Sequence, residues 1–510
     1  MKSPTGSPLP PIDVELILEG SYPYITGGVS SWTHSLVEAM PDISFGITHI
    51  AARKEDARQI KYKLPANIKF VQNIYLYDYI FLKEKGRLSF EDRKLIFGSL
   101  NKFHQREQAF ALSSYASMIR KLIEKPFLKR IFHSREAFSL ILSLYKKHAP
   151  RTSFLDFFWI WRFMHLPLVQ LLQARLPETA ICHTISTGFA GFFGCLHKLN
   201  AGTPLILTEH GIYTKERNIE IAQADWVPRE AHPEHLIRAD QGAFKRLWLD
   251  FFHTLGLWTY QLSDQITTLY EGNRALQIAF GAKPDKCMII PNGIDLARFC
   301  NLRPAHSPDP DALRVGFIGR VVPIKDVKTF LQAAKIVSLS CPKASFHIIG
   351  PFEEDPDYME QIKEMVEILN LNSKMIFYGR QNVLEHYPKL DIIVLTSLSE
   401  GQPMVLLEAM AAGIPCVATD VGSCRELLEG VEGEDKDRGA CGIVTSLRSP
   451  SQTAAAILSI CRNPKLFADM AANGKKRVHT FYEEKTIIRR YRDLYEKFLN
   501  PKKAKTPGKA

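Results

Sequence analysis

Short apolar runs alternate with segments of helical periodicity along most of the chain. Four runs in the first half are predicted to be strands: 14–18, 180–182, 205–207 and 265–269. The segments between them repeat apolar residues every three or four positions, as amphipathic helices do. Strands that alternate with helices pair in parallel and form doubly wound sheets. The sequence therefore predicts an α/β fold whose ligands bind beyond the carboxyl ends of the strands.

The pattern is interrupted once and then starts again. The segment Arg-Pro-Ala-His-Ser-Pro-Asp-Pro at 303–310 contains three prolines, which end helices and central strands. Five further strands are predicted after it, at 314–319, 345–350, 375–378, 392–395 and 415–418. We therefore predict a first doubly wound domain over 1–300, a linker over 301–312 and a second such domain over 313–483.

The region from about 75 to 176 has a different character, being rich in aromatic, leucine and basic residues at helical spacing. We predict a helical insertion in the first domain. Its apolar stripes either pack on that domain or dock on a membrane surface or a partner. The last segment, 501–510, has four lysines, two prolines and no large apolar residue, which predicts a disordered basic tail.

Composition bounds the class of protein and its partners. A chain of 510 residues with 45% hydrophobic residues is long enough for two or three packed domains. Its net charge of +11 suits a nucleotide diphosphate, an acidic membrane surface or nucleic acid, but no recognisable nucleic-acid module accompanies the charge. Charge alone does not choose among the remaining partners.

Two features favour a cytoplasmic protein. Nine cysteines without C-x-x-C spacing fit a reducing compartment better than a disulfide framework or a zinc site. The first residues do not resemble a secretion signal, and the most apolar later stretch, 154–172, is interrupted by charged residues and a proline. We expect no transmembrane span.

The strongest candidate for a ligand site is the segment Glu400-Gly401-Gln402-Pro403-Met404-Val405-Leu406-Leu407-Glu408. It follows a buried strand and runs into a helix, with Pro403 expected in the first turn. Backbone N–H groups at such a helix start favour a phosphate or sugar hydroxyls. Glu408, about one and a half turns further on, adds a second carboxylate on the ligand side. Two carboxylates without a metal cluster can bind vicinal hydroxyls.

The two glutamates at this spacing, with Gly401, Pro403 and the following Leu-Glu-Ala-Met, resemble the signature of the family 4 glycosyltransferases. The resemblance implies the GT-B architecture, two Rossmann-like domains facing across a cleft, and transfer that retains the anomeric configuration without a metal. It implies that Glu408 binds the ribose hydroxyls. It also implies that Glu400 holds the donor sugar together with the segment Gly401, Gln402, Pro403, Met404 and Val405.

A second element, Gly319-Arg320-Val321-Val322-Pro323-Ile324-Lys325, ends a strand in glycine and adds two cations five residues apart. It resembles the diphosphate clamp of the same family. Two fixed cations stabilise the charge that develops on a departing nucleoside diphosphate, and so replace a metal. We expect Arg320 and Lys325 to take this role.

Further positions resemble the family more weakly. In the first domain, Gly27 and Gly28 match a glycine-rich loop that faces the donor, and His210 matches a histidine at the edge of the cleft. Asn292, in Pro-Asn-Gly-Ile-Asp, is a candidate donor-side residue, although Asn-Gly is also a common turn. Tyr378 and Arg380 match the place where the nucleotide base rests. The segment 484–500 matches the last family helix, which crosses back to the first domain.

A metal-dependent alternative would need paired aspartates. The candidates are Asp309-Pro310-Asp311 and Asp355-Pro356-Asp357, and each has a proline between its carboxylates, as turns often do. We expect neither to bind a metal. We also expect no cofactor besides the donor substrate.

Three segments, EGSYPYITGGVSSW, LTEHGIYTKERNIEI and EGQPMVLLEAM, resemble the glycosyltransferases of the Pel exopolysaccharide. This implies a UDP-sugar donor, a growing polysaccharide as acceptor, a role in biofilm exopolysaccharide synthesis and inner-membrane export subunits as partners. Two other classes stay open: a nucleotide-sugar epimerase or hydrolase on the same architecture, and a non-catalytic basic scaffold at the membrane.

Overall fold

The computed structural model describes residues 9–54, 59–77, 89–104, 134–223, 242–299, 302, 309, 312–431 and 434–500. The predicted tail and most of the predicted linker lie outside the described residues, as do parts of the predicted helical insertion. The chain divides into two compact units. Unit 1 comprises Met1–Thr268, Arg274–Met288 and Arg492–Ala510, and unit 2 comprises Leu269–Asn273 and Ile289–Tyr491.

A seven-stranded sheet forms the centre of unit 1. Its strands are β1 Ile12–Glu19, β2 Phe45–Ala51, β3 Ile68–Tyr75, β4 Thr179–Thr184, β5 Leu205–Glu209, β6 Gln265–Thr268 and β7 Cys287–Ile289. They lie in the order β3-β2-β1-β4-β5-β6-β7, and the pairs from β3 to β6 are parallel. β1 is almost wholly buried because helices cover both faces of such a sheet.

The helices of the first part of the chain flank this sheet or follow it. They are α1 Gly28–Glu38, α2 Phe90–His104, α3 Arg135–His148, α4 Phe154–Leu172, α5 Phe189–Ala201, α6 Tyr213–Gln223, α7 Ala243–Leu262, α8 Glu271–Ala279 and α9 Leu296–Phe299. One face of α3 and α4 packs in the core of unit 1, through Ile141, Phe157 and Trp161 among others. Within the described ranges, no helix is at once long and apolar enough to cross a membrane.

Unit 2 is built on a six-stranded sheet. Its strands are β8 Arg314–Ile318, β9 Ser345–Ile349, β10 Met375–Gly379, β11 Ile392–Leu395, β12 Cys416–Thr419 and β13 Gly442–Thr445. The order is β10-β9-β8-β11-β12-β13, and all five pairs are parallel. The predicted α/β class with two doubly wound sheets is confirmed.

Eight helices follow β8 within the described residues. They are α10 Val327–Ser340, α11 Pro356–Ile368, α12 Met404–Ala412, α13 Cys424–Glu429, α14 Glu434–Asp437, α15 Pro450–Cys461, α16 Pro464–Phe481 and α17 Glu484–Leu499. Helices α10, α12 and α15 bury apolar residues in the cores of unit 2. The division into units assigns the first half of α17 to unit 2 and its second half, from Arg492, to unit 1.

Candidate active site

Two loops leave the sheet of unit 2 at the point where its strand order reverses. β8 and β11 are neighbours, and the strand order proceeds outwards from them in opposite directions. Because the two strands are parallel, the segments that follow them, 319–326 and 396–403, emerge at the same edge. Open α/β sheets bind ligands at such reversal points. The two segments contain the predicted residues Gly319, Arg320, Lys325, Glu400, Gly401, Gln402 and Pro403.

An ion pair joins these two loops. Lys325 Nζ donates to Glu400 Oε1 at 2.5 Å, and both side chains are mostly buried. The backbone holds the pair in place, because Leu398 N donates to Ile324 O at 2.8 Å and Thr396 Oγ1 donates to the carbonyl of Lys325 at 3.1 Å. A cation fixed in this way can stabilise negative charge on a bound group without reorganising.

The second predicted cation is held differently. Arg320 is exposed, and its Nη1 donates to Glu354 Oε2 at 2.8 Å. Glu354 lies in the loop after β9, so Arg320 spans the loops that follow β8 and β9. The two cations of the predicted clamp therefore have separate carboxylate partners.

The loop after β8 lies directly against the loop after β9. Gly319 N donates to Ile349 O at 2.9 Å. A Cβ atom on Gly350, whose φ is 147°, would come within 2.0 Å of the Gly319 carbonyl oxygen. Only glycine fits there, so this contact fixes the path of the chain into Arg320.

Glu400 and Gly401 are fixed from the other side by the turn after β12. Ser423 N donates to Gly401 O at 2.9 Å. Gly422 has a φ of 56°, and a Cβ atom there would lie 2.4 Å from the Glu400 carbonyl oxygen. The close approach of two backbones thus fixes the main chain of Glu400, and the ion pair with Lys325 orients its carboxylate.

Helix α12 begins within the segment that the sequence predicts to bind a ligand. Pro403 is its N-cap and Met404 is its first residue, so Pro403 precedes the first turn in which we expected it. Met404 and Val405 are half-buried, whereas Leu406 and Leu407 pack in the core. Because Leu406 and Leu407 are packed in the core, the first turn of α12 is held at the edge of the sheet.

Glu408 lies on α12 beside a tyrosine that the sequence analysis did not identify. Tyr387 Oη donates to Glu408 Oε2 at 2.7 Å. The pKa of Glu408 is raised, because the effect of burial outweighs the lowering effect of this hydrogen bond. Tyr387 is fully buried in the short turn before β11, and its partner is 21 residues away, so no local pattern revealed the pair.

Asn292 belongs to the same unit and contacts the same loop. Its backbone N donates to Gln402 Oε1 at 2.6 Å. The following Gly293 packs against the start of α17, where an added Cβ would lie 2.5 Å from Glu484 Cα. The Pro-Asn-Gly turn thus has a packing role in addition to its contact with Gln402.

Tyr378, at the end of β10, lies between two histidines. Its hydroxyl is 3.1 Å from His347 Nδ1, and its ring centroid is 4.5 Å from that of His386. Burial lowers the pKa of His347 to about 4, so this imidazole is neutral at pH 7. Arg380, two residues after Tyr378, is exposed.

The remaining predicted residues lie in unit 1. Gly27 caps α1 and Gly28 begins it, and both are exposed with open space around them. His210 follows β5, and its ring lies 4.7 Å from the ring of Trp32 on α1. Burial lowers the pKa of His210 to about 4. The structure therefore places a neutral histidine against the helix that the two glycines open.

Two carboxylates at strand ends of unit 1 were not predicted: Glu19, which is half-buried, and Glu209, which is buried. Glu19 accepts hydrogen bonds from Phe189 N at 3.0 Å and from Tyr213 Oη at 2.8 Å. Glu209 accepts one from Tyr260 Oη at 2.7 Å, and burial raises its pKa to about 7. Each is the last residue of a strand that is otherwise mostly apolar. A charged residue at the end of such a strand was the sequence signal that could have pointed to these two carboxylates.

The candidate aspartate pairs have other roles or lie outside the described residues. Asp355 caps α11 by accepting a hydrogen bond from Tyr358 N at 2.9 Å. Asp311 is outside the described residues. Among the residues that the structure describes, the group able to hold a metal is Glu15, Cys182 and His197, whose ligand atoms lie within 4.8 Å of one another in the core of unit 1.

Two family models match the chain. Residues 12–285 match the model described as "Domain of unknown function (DUF3492)". Residues 300–477 match the model "Glycosyl transferases group 1". The second match contains Arg320, Lys325, Glu400 and Glu408.

Curated relatives match mainly over part of their length. The D-inositol 3-phosphate glycosyltransferase of Geodermatophilus obscurus is 28% identical over 227 residues, which cover 42% of this chain and 48% of that protein. The lipopolysaccharide core biosynthesis mannosyltransferase LpsB of Rhizobium meliloti is 30% identical over 220 residues, covering 41% and 61%. The chain spans about half the length of the curated relatives it matches.

Solved structures share the fold over nearly the whole chain. The sucrose-phosphate synthase of Thermosynechococcus elongatus gives a TM-score of 0.57 at 15% identity and covers 96% of this chain and 99% of its own. HepE of Anabaena in complex with UDP-glucose gives 0.52 at 14% identity, with coverage of 94% and 98%. At such identities these likenesses establish the fold alone.

Proposed function

Because the chain belongs to the family described as domain of unknown function DUF3492, and carries a group 1 glycosyltransferase domain on the GT-B fold, we propose that it transfers a hexosyl unit from a UDP-sugar to a carbohydrate acceptor with retention. The observation that carries this proposal is the pair Lys325–Glu400 at the reversal point of the unit 2 sheet. A cation and a carboxylate there match the two demands of a nucleotide sugar, whose diphosphate is anionic and whose sugar donates hydroxyl hydrogen bonds.

The proposed roles follow from the positions of the side chains. Lys325 and Arg320 stabilise the departing diphosphate, on which negative charge develops as the glycosidic bond breaks. Glu408, oriented by Tyr387, accepts hydrogen bonds from the ribose hydroxyls. Glu400 and the backbone of 401–405 hold the donor sugar. In this proposal Lys325 and Arg320 take the place of a metal at the diphosphate, and no cofactor besides the donor takes part.

Residues of unit 1 are proposed to act on the sugar or the acceptor. His210 is neutral at pH 7, so its imidazole can donate one hydrogen bond and accept another. Gly27 is the N-cap of α1 and Gly28 is its first residue, and an added Cβ at either would meet no atom within 4 Å, so a ligand can approach this backbone closely. Both features can bind a sugar hydroxyl of the donor or the acceptor.

The finer proposal is that the acceptor is a growing exopolysaccharide, and specifically the Pel polysaccharide. Its support is the resemblance of 19–32, 207–221 and 400–410 to the Pel glycosyltransferase PelF. The donor would then be UDP-glucose or a UDP-N-acetylhexosamine. HepE, which shares the fold, was solved with UDP-glucose, and this agrees with a uridine donor. Inner-membrane export subunits are the proposed partners.

The first experiment measures the melting temperature with UDP, ADP and GDP and with a panel of UDP-sugars, all in EDTA. A ligand that binds the native state raises the melting temperature. We expect a selective response to UDP and to one UDP-sugar, which would identify the donor. No response to any nucleotide would contradict the proposal and favour the non-catalytic scaffold.

The second experiment incubates the identified donor with and without oligosaccharide acceptors and analyses the products. Acceptor-dependent extension with retained configuration is expected. Free sugar without transfer would indicate a hydrolase, and an isomerised nucleotide sugar would indicate an epimerase. Glu408→Ala should abolish extension, whereas Glu385→Ala, which removes an exposed carboxylate in the same unit, should not.

A further inference from the structure

Helix α4 exposes a row of large apolar side chains. Leu155, Trp159 and Phe163 are 62%, 48% and 41% exposed, and their spacing of four residues places them on one face of the helix. The core of unit 1 receives other residues of the same helix, including Phe157 and Trp161. Phe163 also contacts the Tyr77 ring, at 6.2 Å between centroids, but packing of α4 on its own unit leaves much of the row exposed.

The exposed aromatic side chains of this row belong to a continuous set of ring contacts that includes α3. Phe138 of α3, itself 50% exposed, lies 5.7 Å from Phe154, and Phe154 lies 6.3 Å from Phe158. Phe158 lies 5.5 Å from Trp159, which lies 6.3 Å from Phe163. These distances join ring centroids and are typical of packed aromatic pairs. We call Phe138, Leu155, Trp159 and Phe163 the aromatic face.

Basic residues occur on the two helices that carry this face and between them. The guanidinium of Arg162 lies 5.4 Å from the Phe158 ring and 5.6 Å from the Trp159 ring. Lys146 and Lys147, in the last turn of α3, and Arg151, between α3 and α4, are exposed. Between 134 and 176 the sequence has six basic residues and two acidic ones. The local charge is therefore complementary to an anionic surface.

We infer that the aromatic face docks the chain on an anionic membrane surface. Trp, Phe and Leu can enter the boundary between headgroups and acyl chains, while nearby Lys and Arg bind anionic headgroups. Packed rings lose little conformational entropy on insertion because they are already ordered. The excess of basic charge favours lipid over an uncharged apolar protein groove. The inference does not depend on the sugar chemistry proposed above.

The test is flotation of the full-length chain with vesicles of phosphatidylcholine alone or with phosphatidylglycerol added. We expect binding to the anionic vesicles that weakens as salt is raised, because surface charges are screened. The double variant Trp159→Ser, Phe163→Ser should reduce the partition coefficient at least about tenfold, given the apolar area withdrawn. The matched control Leu339→Ser removes a side chain that is also exposed, but in unit 2.

A second variant guards against misfolding of the first. Lys146→Glu, Lys147→Glu reverses two exposed charges and should lower binding to anionic vesicles while leaving the melting temperature unchanged. Transfer to a water-soluble acceptor should be unaffected in both variants, since neither changes the proposed site. No flotation with anionic vesicles, or equal flotation of wild type and both variants, would overturn the inference and leave a protein partner as the occupant.

Discussion

The sheets of units 1 and 2 share a strand order but hold different chemistry at their carboxyl edges. In unit 2, the loops after β8 and β11 bring together a lysine and a glutamate that are partly accessible. In unit 1, the ends of β1 and β5 hold Glu19 and Glu209, whose hydrogen-bond donors are neutral groups of the protein. The same topology thus supports an ion pair at the edge of one sheet, and carboxylates that accept hydrogen bonds from neutral groups at the edge of the other.

The difference shows how the loops, rather than the sheet, select the ligand. A partly accessible lysine beside its carboxylate can also donate hydrogen bonds to an anionic ligand. A buried carboxylate with three or four protein donors has its hydrogen-bonding capacity used within the fold. We therefore expect changes in unit 2 to alter chemistry, and changes at Glu209 to alter stability.

The largest expected effect is that of Lys325→Ala. Loss of a preorganised group that stabilises transition-state charge should lower kcat by about 10²- to 10³-fold. Removal of Lys325 also leaves the mostly buried Glu400 carboxylate without its cation, so the melting temperature should fall, and activity is compared at a temperature where both proteins are folded. Steady-state kinetics with the identified UDP-sugar checks this, and Lys363→Ala, an exposed lysine on α11, is the control. Full activity of Lys325→Ala would remove the proposed role.

Glu209→Gln tests whether this carboxylate of unit 1 makes the free energy of unfolding depend on pH. Burial raises the folded-state pKa of Glu209 from 4.5 to about 7, so its stabilising contribution is present below about pH 4.5 and is lost as the pH rises through 7. The wild type should exceed the variant in stability by more at pH 5 than at pH 7.5, by up to about 3 kcal/mol. Urea unfolding at both pH values measures this. Glu38→Gln, an exposed change on α1, should show no such trend.

Tyr387→Phe should have a smaller effect, limited to binding of the UDP-sugar donor. The hydroxyl orients Glu408, and one hydrogen bond to a charged group is worth about 1.5 kcal/mol or somewhat more. We expect KM for the UDP-sugar to rise about tenfold with kcat nearly unchanged. A fall in kcat at constant KM would instead assign Tyr387 to the reacting centre.

The smallest effect is expected for Glu354→Gln. Its partner Arg320 is exposed, and an exposed ion pair typically contributes about 0 to 1 kcal/mol. The unfolding free energy should therefore be nearly unchanged. Because Arg320 loses a competing carboxylate, affinity for UDP should rise slightly, which calorimetric titration at low salt can detect. A clear loss of stability would show that the pair is structural.

Much of the fold and the centre of the candidate site could be predicted from the sequence. Most of the strands were predicted, because buried parallel strands are short continuous apolar runs, although β2, β3 and β13 were not. The segments that contain Lys325 and Glu400 were predicted as ligand sites because each directly follows such a run. Helix bounds were less accurate: Pro403, expected in the first turn of α12, is the N-cap of that helix.

What only the tertiary structure decided is the pairing of side chains far apart in sequence. Lys325 and Glu400 are 75 positions apart, and Tyr213 and Glu19 are 194 apart. Their contacts depend on strand order and loop paths, which periodicity does not encode. The sequence by itself thus determined which residues stand at the strand ends. The fold determined their partners, because hydrogen-bond distances are fixed only once two loops emerge at the same edge of one sheet.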